Sequence, residues 1–200
     1  MSDDMNDSHG KPSREEAEAA VRTLLRWIGE DADRAGLKRT PARVLGSYGD
    51  WFAGYAVDPQ AILGNAHQPV KDYKRIVALC DIDFSSHCEH HMAPFIGRIH
   101  LAYLPNERLV GISKLVRVVE AFTKRLQVQE RLTAQIAECI EQALDPLGVA
   151  VVVEAQHQCM TTRGVNKTRI KMVTEEMRGA FETDDRIRAE FLNAIGKSTA

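Results

Sequence analysis

Two short clusters hold the residues of this chain whose types and spacing suit chemistry: Cys88-Glu89-His90-His91 and, beginning 69 positions after Cys88, His157-Gln158-Cys159. Cys88 and His91 stand in C-x-x-H spacing, so a thiolate and an imidazole can close on one metal from a single turn. Cys159 can add a second soft ligand from another element. A structural zinc site normally closes with four protein ligands, whereas three plus a water is the arrangement of catalytic zinc. Zinc held in this way lowers the pKa of its water toward about 7 and supplies hydroxide at neutral pH. Each cluster also carries a spare imidazole, His90 and His157, and imidazole titrates near the working pH. The residues therefore suggest a hydrolytic metal centre with proton-transfer groups beside it. The plainer alternatives are a solvated His90 and an ordinary strand-end His157. Cys139, in the middle of an amphipathic helix, and Cys80, within a strand, read as small packing residues.

Three further groups suit a ligand. Ser113, Lys114 and Arg117 lie at the start of a helix, with Lys114 and Arg117 on one face. Backbone donors at a helix N-terminus together with two cations suit a polyphosphate. Arg163, four residues past Cys159, can join them. The competing reading is a solvated charged face. Gln129-Glu130 follows a helix break. A glutamate in a first turn often serves only the helix dipole, but a carboxylate is also the right acceptor for two adjacent N–H groups on a guanine edge. His100 is expected on the wet side of its strand and has no assigned role.

The elements that must position these groups follow from periodicity. Ser13-Arg14-Glu15-Glu16 fits a capping box, and Ala17, Ala20, Val21, Leu24 and Ile28 follow at helical spacing. Thr40-Pro41 starts a second helix, expected to end at Gly54. From Lys74 the period changes. Strands are expected over Arg75–Phe84, Arg98–Tyr103, Val149–Ala155 and Thr168–Thr174. Helices are expected over Ser113–Leu126, Val128–Leu144 and Asp184–Ile195. The order predicts an α+β fold, an antiparallel four-stranded sheet backed by two helices, with an N-terminal helical extension. The expected organisation is a disordered tail over 1–12, the helical extension over 13–70 and a catalytic domain over 71–200.

Bulk properties narrow the classes. The chain has 200 residues, 44% of them hydrophobic, enough for one domain with an extension. A net charge of −2 gives no field for non-specific binding to nucleic acid or an anionic membrane. Residues 1–11 lack the apolar stretch of a signal peptide, and no apolar run approaches the ~20 residues of a membrane span. The expectation is a soluble, cytoplasmic protein whose four cysteines bind metal or pack rather than form disulfides.

Several motifs occur in one order: Ser86-His87-Cys88-Glu89-His90-His91, Pro94-Phe95-Ile96-Gly97, His100-Leu101-Ala102-Tyr103-Leu104-Pro105, Gly111-Ile112-Ser113-Lys114, Gln127-Val128-Gln129-Glu130-Arg131-Leu132 and Arg163-Gly164-Val165. With the segment from Gly36 to Val44, they closely resemble the zinc-dependent GTP cyclohydrolase I family over about residues 13–195. The resemblance implies the tunnelling fold and a homodecamer of two five-membered rings, with sites at subunit interfaces. It implies Zn2+ on Cys88, His91 and Cys159, and catalytic roles for His90 and His157. It further implies guanine recognition by Gln129 and Glu130, and triphosphate binding by Ser113, Lys114, Arg117 and Arg163. The implied reaction is that of a hydrolase acting on cyclic amidine C–N bonds. Zinc-activated water attacks purine C8 of GTP, formate leaves, and 7,8-dihydroneopterin triphosphate forms, the first step toward tetrahydrofolate and other pterins.

One departure stands out. The family's Ser-x-Thr-x-Thr is matched here by Ile170-Lys171-Met172-Val173-Thr174, which keeps only the last hydroxyl. That change is the one feature favouring the alternative, a non-catalytic nucleotide- or pterin-binding paralogue. A zinc nucleobase deaminase shares His87-Cys88-Glu89 but needs a downstream P-C-x-x-C that is missing here. A structural zinc protein would need a fourth ligand.

Overall fold

The computed structural model describes residues 10–64, 67–69 and 73–198. The tail expected over 1–12 lies outside the described residues up to residue 9, and residues 10–12 carry no regular element. The expected boundary at 70/71 also falls outside them. The chain divides into two compact units, Met1–Asp50 and Trp51–Ala200.

In the first unit, α1 (Arg14–Trp27) starts at the expected capping box. Ser13 Oγ accepts the Glu16 N–H at 3.2 Å, and the Glu16 carboxylate accepts the Ser13 N–H at 2.8 Å. No residue of α1 is buried, and Leu24, Trp27 and Ile28 are exposed. Its second helix, α2, spans Thr40–Trp51.

In the second unit, a 3-10 turn (Ala53–Ala56) and α3 (Pro59–Gly64) lead to β1 (His67–Pro69), β2 (Val77–Cys88), β3 (Pro94–Leu104) and β4 (Arg108–Val110). Then come α4 (Ile112–Thr123), β5 (Leu126–Gln127), α5 (Gln129–Leu144), β6 (Gly148–His157) and α6 (Gln158–Thr161). The last elements are β7 (Met172–Gly179), α7 (Ala180–Thr183) and α8 (Asp185–Ser198). Gly54 falls inside the 3-10 turn, so α2 does not reach it. A Cβ at Gly54 would meet the Ala121 carbonyl oxygen and lie 2.7 Å from that of Lys124. The glycine is needed for this close approach to the end of α4.

The main sheet has the order β5-β2-β3-β6-β7. β2, β3, β6 and β7 pair antiparallel, as expected of a four-stranded sheet. β5 adds a fifth strand of only two residues, parallel to β2 at His87 and Cys88. Two residues between helices carry no period to read. β7 begins at Met172 rather than Thr168 and runs on to Gly179, because pairing with β6 sets its extent.

The two faces of the sheet are covered differently. Ile99, Leu101, Tyr103, Val149, Val151 and Val153 pack with Leu115, Val118 and Phe122 of α4 and Leu132, Ile136 and Ile140 of α5. Two helices back this face of the sheet. The opposite face was expected to be wet on β3, and it is not. Ala102 and Leu104, with Ala150 and Val152, are buried with Phe181, Phe191 and Ile195 of α7 and α8. The C-terminal helix covers a face that alternation alone assigns to solvent.

His100 lies on that covered face and is fully buried. Cys80 and Asp81 form a bulge opposite it, since pairing steps from Leu79↔Leu101 to Ile82↔Ile99. Asp81 takes a positive φ of 57°, and its N–H donates to His100 Nδ1 at 3.1 Å. The imidazole thus satisfies a backbone donor that the bulge removes from the ladder. Nearer the site, a Cβ on Gly97 would strike the Glu154 carbonyl oxygen and lie 2.7 Å from Ala155 Cα. Glycine lets β3 and β6 close beside His157.

Two predictions follow from these contacts. Gly97→Ala forces β3 from β6 and costs roughly 2–4 kcal/mol, read by denaturant unfolding. Burial first of all holds the His100 pKa below its ordinary value, with Arg98 adding to this and Asp81 and Glu154 opposing it. The unfolded chain then binds a proton that the folded chain resists, so stability falls as pH drops below about 6.5. In His100→Asn, Oδ1 can replace Nδ1 as acceptor, and the fall in melting temperature from about pH 7 to about pH 5 is shallower. An unchanged slope contradicts this assignment.

Candidate metal centre and its surroundings

The end of β2 and the turn into β3 place the first two candidate ligands. The Cys88 N–H donates to the Ala93 carbonyl at 2.8 Å, and the Met92 N–H donates back to the Cys88 carbonyl at 2.7 Å. Met92 closes the turn with φ 53°. This winds Cys88-Glu89-His90-His91 tightly enough to bring Cys88 and His91 to one side. The Glu89 N–H donates to the Gln127 carbonyl at 3.0 Å, tying the turn to β5. The Glu89 carboxylate pairs with Arg131. The hydrogen bond from Arg131 holds that carboxyl below the usual range.

Cys159 arrives from the far end of β6. The β3–β6 register runs unbroken from Leu104↔Gly148 to Phe95↔His157. It therefore sets α6, which carries Cys159, beside the turn that precedes β3. Ligand atoms of Cys88, His91 and Cys159 lie within 4.8 Å of one another. Burial, and then the nearby Cys88 sulfur, push the Cys159 thiol up, with Arg163 opposing. Two thiols this close resist sharing negative charge unless a cation lies between them. The donor set, two sulfurs and an imidazole, fits zinc and leaves an open fourth position.

Around this cluster stand the proton-transfer candidates. His90 Nδ1 is 3.7 Å from Cys88 Sγ. His157 lies face to face with Phe95, ring centroids 4.6 Å apart and planes 1° from parallel. Its Nε2 meets Gln129 Oε1 at 2.9 Å. Burial lowers the His157 pKa, and the Glu130 charge opposes that shift. Arg163 donates to His91 Nε2 at 3.0 Å, which brings a guanidinium to the rim.

The remaining candidates are placed unequally. Glu130 is exposed at the first turn of α5. Gln129 beside it is buried, and its amide is occupied inside the chain. Ser113 and Arg117 are exposed on α4, while Lys114 Nζ donates to the Ile62 carbonyl at 2.9 Å. Arg117 lines a hollow of about 340 Å3 with Gly54, Ile62, Glu120 and Lys124. Among the described residues no hydrogen bond or ion pair joins this group to the metal cluster. A larger hollow of about 460 Å3 contains Arg98, Glu154, Gln156 and Lys171, but none of the metal ligands. The chemistry-bearing groups, rather than hollow size, mark the site.

Two supports escape a reading of the sequence. Phe95 stacks on His157 from 62 positions away, and Thr133 reaches Thr174 at 2.7 Å. Neither pair has a spacing signal; sheet register and helix docking create both. The departure at 170–174 also becomes local. Ile170 is exposed, and Met172 offers its carbonyl to Gln129, a role independent of its side chain.

A family model described as GTP cyclohydrolase I matches residues 17–196. Among curated relatives, "GTP cyclohydrolase 1" of Maricaulis maris is 50% identical over 188 residues, 94% of this chain and 92% of that protein. "GTP cyclohydrolase 1" of Hyphomonas neptunium is 50% identical over 192 residues, 96% of this chain and 93% of that protein. That of Sinorhizobium fredii is 49% identical over 191 residues, again 96% and 93%. The solved apo structure of the archaeosine synthase QueF-Like covers 54% of this chain and 97% of its own at 16% identity and a TM-score of 0.40, too slight a likeness to bear on function. Since the match spans nearly the whole length at about half identity, the chain belongs to the GTP cyclohydrolase I family.

Proposed function

We propose that this chain opens the imidazole ring of GTP at C8, releases formate and recloses the product as 7,8-dihydroneopterin triphosphate. Family membership makes it an enzyme of the GTP cyclohydrolase I type, a metal- and nucleotide-binding hydrolase of folate biosynthesis. The observation that carries the mechanism is the convergence of Cys88, His91 and Cys159, with His90 beside Cys88 and His157 at the end of the strand that leads into Cys159. Zinc held by these three residues would supply a water acidic enough to act as a nucleophile near neutral pH. From its imidazolium form His157 gives a proton to purine N7, and His90 accepts and returns protons as the ring opens. Glu130 takes the paired N–H groups of the guanine edge. Gln129, whose amide is occupied within the chain, serves the site through His157.

Ser113, Lys114, Arg117 and Arg163 hold the triphosphate. Among the described residues no hydrogen bond or ion pair joins the first three to the cluster, which supports a pocket completed by a neighbouring copy. β7 ends the sheet on one side, and on the other β5 pairs only with the last two residues of β2, which among the described residues leaves most of that edge without a strand partner. Open edges of this kind suit sheets that join side by side, as in a tunnelling-fold homodecamer of two five-membered rings. No helix among the described residues is long and apolar enough to cross a membrane, in keeping with a cytoplasmic enzyme.

The test is to incubate zinc-loaded protein with GTP and assay formate and, after oxidation, neopterin fluorescence, beside an EDTA-treated control. Both products should form and both should depend on metal. GTP bound without either product would instead identify a non-catalytic nucleotide-binding protein. Cys159→Ala should lose metal and turnover together. His157→Ala should keep metal and lose about 10²–10⁴-fold in kcat. Full activity in His157→Ala contradicts its role.

A further inference from the structure

Gln129 is 1% exposed, yet its amide makes four contacts. Nε2 donates toward the carbonyls of Val153 at 3.0 Å and Met172 at 3.1 Å and toward Thr174 Oγ1 at 3.2 Å. Oε1 faces His157 Nε2 at 2.9 Å. Thr133 Oγ1 lies 2.7 Å from Thr174 Oγ1 and 2.8 Å from the Gln129 carbonyl. A carbonyl can only accept, so the Thr133 hydroxyl gives its one proton to the Gln129 carbonyl. Thr133 must then accept from Thr174, whose proton is used in turn. Thr174 is left as an acceptor for the Gln129 NH2. Turning the amide over would set Oε1 against two carbonyl oxygens and lose these donations. Each hydroxyl proton in the loop therefore has one allowed direction, while the two NH2 protons are shared among three acceptors, two of them carbonyls that fix the amide.

We infer that Gln129 is a positioning residue, whose amide, fixed by the Val153 and Met172 carbonyls and braced by Thr174, holds the proton of neutral His157 on Nε2 and leaves Nδ1 as its only accepting nitrogen. Gln129 Oε1 can only accept, so the ring nitrogen facing it must donate. Phe95 stacks on the ring and holds its plane, so hydrogen bond and stack together fix orientation as well as tautomer. Among the described residues Nδ1 has no hydrogen-bond partner. Protons exchanged with a substrate would therefore pass through Nδ1. This also separates the positions of the 170–174 segment by what they do. Met172 serves through its backbone and Ile170 is exposed, whereas Thr174 adds a side-chain acceptor to the amide.

The wiring rests on geometry alone, and its effect on turnover rests on the proposed reaction; the two are tested separately. Zinc-loaded protein carrying 15N-histidine is examined by long-range 15N–1H correlation at about pH 8, where imidazole is neutral. Comparison with His157→Ala identifies the signal. The expected wild-type signature is the Nε2-protonated tautomer. A proton on Nδ1 in the wild type overturns the inference without any variant. Gln129→Met, which keeps the length and removes the amide, should show mixed tautomers and lose roughly tenfold or more in kcat. Its KM and zinc content should stay within about twofold of wild type. Thr174→Val, which leaves both carbonyls in place, should keep the wild-type signature. Gln129→Met with an unchanged signature and kcat overturns the inference. The expected signature in a protein that releases no formate would uphold the wiring and refute the proposed reaction.

Discussion

The antiparallel register of β3 on β6 is the constraint from which the rest of the site follows. Ten consecutive pairs, from Phe95↔His157 to Leu104↔Gly148, lock two strands far apart in sequence. A slip of one residue would turn every side chain to the opposite face. His157 would leave Phe95, and Cys159 would leave the turn that carries Cys88 and His91. Gly97 allows the strands to close at this end, where a Cβ would collide with the Glu154 carbonyl. The metal cluster is thus a consequence of sheet geometry rather than of a flexible loop.

The sheet can hold this register because both faces are buried, each against different helices. α4 and α5 cover one face. The first turn of α5 also delivers Gln129 under His157 and sets Glu130 at the surface. One helix start therefore places a buried amide and an exposed carboxylate side by side. On the other face, α7 and α8 bury Ala102, Leu104, Ala150 and Val152. His100 there completes the hydrogen bonding of a bulge in β2.

Much of this was legible in the residues. The capping box at Ser13 and the two helices that became α4 and α5 are local patterns, and each forms close to where local physics puts it. The C-x-x-H pair was legible for the same reason, since a single turn spans it. Cys159 was legible by its chemistry but not by its distance, which only strand register supplies. The face expected to be wet on β3 was misread because alternation records which residues share a face, not what covers it. His100 and Ala102 are buried by a helix more than 80 residues downstream. The occupied amide of Gln129 was illegible too, for its partners Val153, Met172 and Thr174 come from two other strands.

The central claim is that two thiolates and one imidazole hold a single ion and leave one position open. Cobalt substitution followed by absorption spectroscopy tests it most directly. The account predicts one ion per chain, intense thiolate-to-cobalt bands that weaken in Cys88→Ser and in Cys159→Ser, and ligand-field bands that shift when azide is added. No stoichiometric binding, or a four-coordinate spectrum indifferent to azide, would contradict it.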